Sequence, residues 1–191
     1  RDARADSVIA RMLALPESDG NFFYGENLQR MSLAYDWLYN YRGFNAAAKK
    51  KLRERMLDMA GHLITRVGKG EEVVYGEEIF HNYCSNAALA VGLTGLALWE
   101  GPQDTAAARL IRIASDWHFN RSFKAMELLG GGWHEGLAYS LNHVIQETPI
   151  WVAAWRSATG EDWFARIKRE QGGWMEGWIY FCLANLQPDW T

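Results

Sequence analysis

Apolar residues recur every three or four positions through most of the chain, which is the spacing of one face of an α-helix. Val8 and Met12 begin this pattern, and Pro16 ends it. A second helix is predicted in ENLQRMSLAYDWLYNY, and a third in AAAKKKLRERMLDMAGHLITRV, where Asn45 is a suitable N-cap. The buried positions of these two helices are predicted to be Leu28, Met31, Tyr35, Leu38, Leu52, Met56, Met59, Leu63 and Val67.

The segment NAALAVGLTGLALWEG is apolar nearly all round, as expected of a helix that is buried on most sides. Glycine destabilises an exposed helix, so Gly92 and Gly95 indicate close packing against neighbours. A long amphipathic helix is predicted next in DTAAARLIRIASDWHFNRSFKAMELL, ending at Gly130. Later helices are predicted around Pro149, where a kink or restart is expected, then after Asp162, and in GWIYFCLANL.

Alternation with a period of two residues is almost absent, so a β-sheet is not expected. Successive helices joined by short links indicate an all-α fold of antiparallel helical hairpins. The 191 residues are enough for one domain with a real core. The opening stretch RDARADSVIA reads as the middle of a helix and carries no initiator Met, so we expect a piece of a longer protein.

A pattern of Gly-Gly-Trp-x-Glu-Gly-x-x-Tyr occurs twice, as GGWHEGLAY from Gly131 and as GGWMEGWIY from Gly172. In the first copy we expect Glu135 in the first turn of a helix, where its charge suits the positive end of the helix dipole. Tyr139 would then share its helical face. The frame of the pattern is interpreted as a helix start in both copies. Only the first copy adds the polar groups expected of chemistry, since Met175 replaces its histidine.

A second polar cluster, EEIFHNYCSN, stands just before the apolar helix. It contains Glu77, Glu78, His81, Asn82, Tyr83 and Asn86. A helix N-terminus favours anions, so a carboxylate could bind at this position. Among the other histidines, His118 and His143 are weaker candidates for lining a cleft, and His62 lies beside an apolar stripe.

Composition narrows the function classes. A formal net charge of -3 gives no electrostatic reason to bind nucleic acid or an acidic membrane, and no apolar stretch is long enough to span a bilayer. Ten Trp and eight Tyr fit either a large core or sugar-stacking platforms in a cleft. Cys84 and Cys182 match no metal-binding spacing, and we expect buried thiols rather than a disulfide.

Four phrases in order, LAYDWLYNY, HNYCSNAALAVGLTGLALWEG, GGGWHEGLAYS and WRSATGEDWFA, resemble the helical domain of the heparinase II/III-like polysaccharide lyases. The likeness runs from about Leu28 to Ala165. It implies that residues 1–191 form a single incomplete (α/α) toroid from a longer lyase, without the β-sandwich domain that follows in the family. It also implies β-elimination on a uronic-acid polysaccharide, either like heparin and heparan sulfate or like alginate.

The resemblance further implies an acidic polysaccharide as partner, a β-sandwich domain of the same protein, and a periplasmic or secreted location. No nucleic acid, membrane or cofactor is expected for this chain, and any structural metal would belong to the sandwich. Tyr139 matches the family's catalytic tyrosine. His81 and Asn82 match the pair that neutralises the substrate carboxylate, and His81 is also a candidate base for one uronate epimer. The expected substrate-binding residues are Tyr83, Asn86, Trp133, His134 and Glu135.

The sequence departs from the family in one respect that bears on these roles. Relatives that act on alginate-type polymers have Asn before His, whereas the order here is His81-Asn82, so Asn86 is an alternative neutralising residue. Two other functions stay open. A glycoside hydrolase would pair Glu135 with Asp36, Glu77 or Glu78. A non-catalytic carbohydrate-binding domain would use Trp133, Trp151, Trp155 and Trp174 as stacking platforms.

Overall fold

A computed structural model describes residues 2–15, 24–65, 81–141 and 145–185, and every regular element in these ranges is helical. The helices are α1 (Ala3–Ala14), α2 (Tyr24–Leu38), α3 (Ala46–Thr65), α4 (Asn82–Leu98), α5 (Thr105–Ser115), α6 (Phe123–Leu128), α7 (Leu137–Tyr139), α8 (Ile145–Thr159), α9 (Trp163–Glu170) and α10 (Trp174–Asn185). A π-helical segment, Asp116–Ser122, joins α5 to α6 without a break. The predicted all-α class is therefore confirmed.

Short polar side chains begin several of these helices. The Asn45 Oδ1 atom accepts the Ala48 N–H at 2.9 Å, and Asp162 caps α9 by accepting the Ala165 N–H at 3.1 Å, as the sequence predicts. Asp2 caps α1 by accepting the Arg4 N–H at 2.9 Å. The opening residues are thus a helix start, and their interpretation as the middle of a helix was wrong.

Helices α2, α4 and α8 pack side by side and run parallel. Ser32 of α2 and Thr94 of α4 are hydrogen-bonded at 2.9 Å across a separation of 62 residues. Ser85 of α4 and Glu147 of α8 repeat that separation of 62 at the starts of their helices. Gly25 at the start of α2 also lies against Asn86 near the start of α4, and Gly92 of α4 lies against Trp151 of α8. Contacts therefore advance in the same direction along all three helices, and their N-termini meet at the same end of the fold.

The intervening helices run the other way. The Arg53 guanidinium, near the start of α3, donates to the Leu98 carbonyl oxygen at the end of α4 at 2.7 Å. Conversely, the Tyr24 ring at the start of α2 lies 6.5 Å from the His62 ring near the end of α3. Helix α3 is therefore antiparallel to both α2 and α4.

Helix α4 occupies the centre of the core, and its glycines admit the neighbouring helices. A Cβ atom on Gly92 would lie 2.3 Å from the Trp151 ring, and one on Gly95 would lie 2.8 Å from the Ile111 side chain. The close packing predicted at both positions is therefore confirmed. The predicted interior residues of α2 and α3 are also buried, namely Leu28, Met31, Tyr35, Leu52, Met56, Met59 and Leu63. Leu38 is half-buried, and Val67 lies outside the described residues.

An aromatic layer fills the space between α4, the π-helical segment and α8–α9. The His118 ring stacks on Trp151 with centroids 4.8 Å apart, and Phe119 stacks on Trp163 at 3.8 Å. His118 is only 2% exposed, so it belongs to the core and does not line a cleft. Burial in this apolar layer lowers the pKa of His118 from 6.5 to about 3.

Four expectations from the sequence concern Pro149, the long helix after Asp104, the two cysteines and membrane-spanning segments. Helix α8 is continuous through Pro149, which is the fifth residue of the helix, so its missing N–H removes a single bond near the helix start. The predicted long helix runs from Thr105 to Leu128, but its middle, Asp116–Ser122, is π-helical and not α-helical. Cys84 and Cys182 are free thiols, with Cys84 buried and Cys182 half-buried. No helix in the described ranges is both long and apolar enough to cross a bilayer.

Candidate functional site

The first polar group of the site is His81, which caps α4 with its ring. The Tyr83 N–H donates to the Nδ1 atom of His81 at 3.2 Å, and the two rings lie 4.8 Å apart. Since Nδ1 accepts this bond, a neutral His81 imidazole carries its proton on Nε2, an assignment that follows from the hydrogen-bond geometry. The outer edge of the half-buried His81 ring therefore offers an N–H donor.

Asn82 follows as the first residue of α4, and its side chain is 3% exposed. Its N–H donates to the Oε2 atom of Glu135 at 3.1 Å. The indole N–H of Trp133 donates to the same oxygen at 3.0 Å. A carboxylate at a helix N-terminus is stabilised by the helix dipole and by these two donors. The structure thus brings together three of the predicted residues, from two segments that are far apart in sequence.

Glu135 reaches this position because it is outside any helix. Residues 133–136 form a turn closed by the Gly136 N–H and the Trp133 carbonyl oxygen at 3.1 Å. Gly136 has a φ of +89°, a conformation that favours glycine, and α7 begins only at Leu137. The expectation that Glu135 and Tyr139 share one helical face was therefore wrong. Glu135 serves the N-terminus of α4 and not that of its own segment.

The second copy of the glycine pattern has a different structure. Helix α10 begins at Trp174, so Glu176 lies in its first turn as predicted. Its carboxylate is 61% exposed and forms an ion pair with Lys168 at 2.8 Å. The helix-start interpretation is confirmed for the second copy, whereas the first copy opens a helix only at Leu137, after Glu135. Of the two glutamates, only Glu135 is joined to the predicted site.

Glu147 is a site residue that sequence reasoning missed. It is 6% exposed, and its carboxylate accepts the Ser85 hydroxyl at 2.5 Å and the Asn86 amide at 3.0 Å. Its position in the first turn of α8, where an acidic residue suits the helix dipole, was the available signal. Nothing in the sequence indicated that α8 would lie beside α4.

The remaining predicted residues have different environments. Tyr139 ends the short helix α7 and is 47% exposed. His134 is exposed next to Trp133, with ring centroids 5.7 Å apart. Trp133 is only 4% exposed, so it supports Glu135 and offers no open face for stacking a sugar. Tyr83 is half-buried beside His81.

Some candidates lie elsewhere. Glu77, Glu78 and His143 fall outside the described residues. His62 is exposed on α3 and lies 3.4 Å from Asp58. Asp36 lines a cavity of about 640 Å³ with Leu96 and Ala97, near the opposite end of α4 from Asn82. Within the described ranges, no three His, Cys, Asp or Glu side chains converge as metal ligands would.

The electrostatics of the site follow from the parallel helices. The N-termini of α2, α4 and α8 meet here, and each contributes a partial positive charge. Gly25, at the start of α2, touches Asn86, and Asn86 in turn bonds Glu147. The carboxylates of Glu135 and Glu147 lie within this positive potential and are stabilised by it. The His81 ring is half-buried and the Tyr139 ring is exposed, so both have surface open to solvent.

Comparison with known proteins finds no family model that matches the chain, no similar curated protein and no similar solved structure.

Proposed function

We propose that this chain is the helical domain of a polysaccharide lyase that cleaves a uronic-acid polymer by β-elimination. The observation that carries the proposal is the hydrogen-bonded cluster at the start of α4. There His81, Asn82 and Glu135 lie together, and Tyr139 follows Glu135 in the chain. The proposed substrates are polymers like heparin and heparan sulfate or like alginate. A periplasmic or secreted location follows from that substrate class.

The proposed substrate carboxylate binds in front of α4. The proton beside a uronate carboxylate is weakly acidic, and negative charge grows on the carboxylate oxygens as the proton leaves. Donors already in place for that charge lower the barrier, because they need no reorganisation during the reaction. The Nε2–H of His81 is such a donor. The predicted role of Asn82 as a second donor does not fit its burial, since Asn82 is only 3% exposed and supports the turn from inside the protein. In this tautomer His81 neutralises the carboxylate and has no free lone pair with which to act as base.

Tyr139 is the proposed acid and base. In the proposed step its phenolic oxygen takes the C5 proton, the C4–O bond breaks, and a C4=C5 double bond forms in the uronate. The same tyrosine then returns the proton to the leaving oxygen, so one group closes the proton balance. The 47% exposure of its side chain fits a role at the mouth of a cleft.

The proposed architecture is an incomplete (α/α) toroid. The parallel packing of α2, α4 and α8, with α3 running the other way between α2 and α4, is the arrangement that adjacent hairpins of a toroid would have. A toroid places the N-termini of equivalent helices on one face. The proposed cleft is on that face, and a β-sandwich domain is the proposed partner that would border it.

The two other candidate functions have less support. Asp36 lies beside Leu93–Ala97, which is roughly 17–23 Å along the α4 axis from Asn82, too far for Asp36 and Glu135 to act on one glycosidic bond. A carbohydrate-binding domain would need exposed tryptophan faces. Three of the four candidates, Trp133, Trp151 and Trp174, are at most 4% exposed and cannot stack on a sugar. Trp155 is half-buried, and its N–H is held by Glu161 at 2.9 Å.

The test is to incubate the protein with heparin, heparan sulfate, chondroitin, alginate and ulvan. Two readings are taken on each polymer, ultraviolet absorbance for the unsaturated uronate and a reducing-end assay. A rise in both on one polymer supports the lyase and identifies the substrate. A rise in reducing ends alone would establish a hydrolase. Binding of a polymer without either signal would establish a binding domain, and either of these two results would overturn the proposal.

A further inference from the structure

We propose that Glu147 is a positioning residue for the site at the start of α4, a role that rests on the function proposed above. Its carboxylate joins α8 to α4 through two hydrogen bonds, to the Ser85 hydroxyl at 2.5 Å and to the Asn86 amide nitrogen at 3.0 Å. Glu147 does not touch the substrate in this scheme. It holds the turn that carries His81 and Asn82.

The first link runs from Glu147 to the peptide of Asn82. The Ser85 Oγ atom that bonds Glu147 also lies 3.0 Å from the Asn82 carbonyl oxygen. On the other side of this residue, the Asn82 N–H is bonded to Glu135 at 3.1 Å. Asn82 therefore lies between two carboxylates, with Glu135 bonded to its N–H and Glu147 bonded to the Ser85 hydroxyl group that packs against its carbonyl oxygen. Geometry at the α4 N-terminus depends on both.

The second link runs from Glu147 to helix α2. The Asn86 Oδ1 atom lies where a side chain at position 25 would start, 1.9 Å from a Cβ atom built on Gly25. The backbone oxygen of Asn86 also accepts the Gln29 amide at 3.1 Å. Asn86 therefore packs between α2 and α8, and its amide nitrogen donates to the Glu147 carboxylate.

This arrangement determines which residue of the site can neutralise a substrate carboxylate. A substrate carboxylate bound to the Asn86 amide would stand next to the carboxylate of Glu147, and the two like charges would repel. Asn82 is no better placed, because it is only 3% exposed and its N–H is bonded to the carboxylate of Glu135. The His81 ring edge is therefore the neutralising donor, and both asparagines belong to its support.

Three variants test this assignment. Glu147→Ala removes both hydrogen bonds. Glu147→Gln keeps them, because the glutamine oxygen accepts from Asn86 and its amide donates to Ser85, whose hydroxyl then donates to the Asn82 carbonyl oxygen. Glu161→Ala is the matched control, since Glu161 also accepts two side-chain hydrogen bonds, from Trp155 at 2.9 Å and from Arg166 at 3.1 Å, but outside the site.

The first readout is independent of activity. Amide hydrogen exchange in residues 82–86 is expected to accelerate by about tenfold or more in Glu147→Ala, the loss expected when a hydrogen bond to a charged group is removed. Nitrogen NMR is expected to find His81 in its Nε2–H tautomer in the wild type and in Glu147→Gln, and as a mixture in Glu147→Ala. Unchanged exchange and an unchanged tautomer in Glu147→Ala would overturn the proposal.

The second readout is the elimination rate. Glu147→Ala is expected to lower kcat by about tenfold with KM within about twofold, and Glu147→Gln to restore kcat, because positioning acts on the reacting geometry. Should Glu147→Ala fail to fold, Ser85→Ala breaks the link to Asn82 alone and is expected to change exchange and tautomer in the same direction. A wild type without product on any polymer overturns the proposed function, while the NMR and exchange results still decide the role of Glu147.

Discussion

Gly177 of α10 lies against the backbone of Gly130, so closely that a Cβ atom on Gly177 would be 2.2 Å from the Gly130 carbonyl oxygen. This contact joins the two copies of the glycine pattern, since Gly130 directly precedes the first copy and Gly177 belongs to the second. The resemblance between the copies therefore has a packing consequence. Gly130, just before the first copy, and Gly177, within the second, have no side chains, so the two backbones can approach closely.

Replacing Gly177 with alanine is expected to lower the free energy of unfolding by about 1–3 kcal/mol, because the added methyl group meets backbone atoms that cannot rotate away. The matched control is Gly61→Ala on α3, where nothing lies within 4 Å of the new Cβ atom. That variant is expected to be more stable by about 0.5–1 kcal/mol, the usual gain from glycine to alanine inside a helix. Urea unfolding followed by circular dichroism measures both. Equal stability of Gly177→Ala and the wild type would contradict the close approach.

Replacing Glu135 with alanine is expected to destabilise the protein by about 1–3 kcal/mol, because the Asn82 N–H and the Trp133 indole N–H both lose their acceptor. The equivalent residue of the second copy, Glu176, provides the control. Its exposed ion pair with Lys168 is screened by water, so Glu176→Ala is expected to change stability very little. If the two variants unfold at the same urea concentration as each other, Glu135 does not cap α4.

Tyr139→Phe is expected to reduce β-elimination by a factor of about 100 or more, since it removes the proposed acid and base. The melting temperature should stay unchanged, because 47% of the Tyr139 side chain is exposed. Tyr180→Phe makes the same chemical change in the second copy, on a side chain that is 72% exposed, and should retain full activity. Initial rates of unsaturated-uronate formation measure both variants. Activity that survives in Tyr139→Phe would exclude this tyrosine from the chemistry.

His118→Phe is expected to make the protein more resistant to acid. Burial lowers the pKa of His118 from 6.5 to about 3, and its two ring nitrogens have no hydrogen-bond partner among the described residues. Between these values the unfolded chain binds a proton that the folded chain does not, so stability falls as the pH falls through this window. The slope from one such proton is at most about 1.4 kcal/mol per pH unit.

The measurement is the free energy of unfolding at several pH values from 7 down to the acid limit of each protein. The difference between His118→Phe and the wild type should grow steadily below pH 6.5 and be constant above it. His62→Phe is the control, since His62 is exposed beside Asp58 on α3. Parallel curves for the wild type and His118→Phe would mean that His118 is not buried in the neutral form.

The spacing of apolar residues predicted the helices well, because the buried face of each helix depends only on the sequence of that helix. Leu52, Met56 and Leu63 are buried as the spacing requires, and the apolar helix around Gly92 is central as its composition requires. Asn45 and Asp162 were recognisable as caps because capping is a local interaction. The π-helical segment gave no such signal, since its residues continue the helical pattern on both sides.

The site was only partly predictable, because its decisive contacts join distant segments. His81 and Asn82 could be chosen from their position before an apolar helix. The bond from Glu135 to Asn82 spans 53 residues and depends on a left-handed glycine at Gly136, which redirects the carboxylate away from its own helix. Glu147 was missed for the same reason, since its partners lie on a helix 61 and 62 residues earlier.

The spacing of the parallel helices also sets the order in which the site can come into being during synthesis. Ser85 and Glu147 are separated by 62 residues, so at roughly 5–20 residues per second the carboxylate leaves the ribosome about 3–12 s after its hydroxyl partner. Throughout that interval the first turn of α4 has been synthesised, but Glu147, which supports it, has not. A nascent chain can therefore complete the α2–α4 contact first, and the arrangement of His81 and Asn82 matures only when α8 docks.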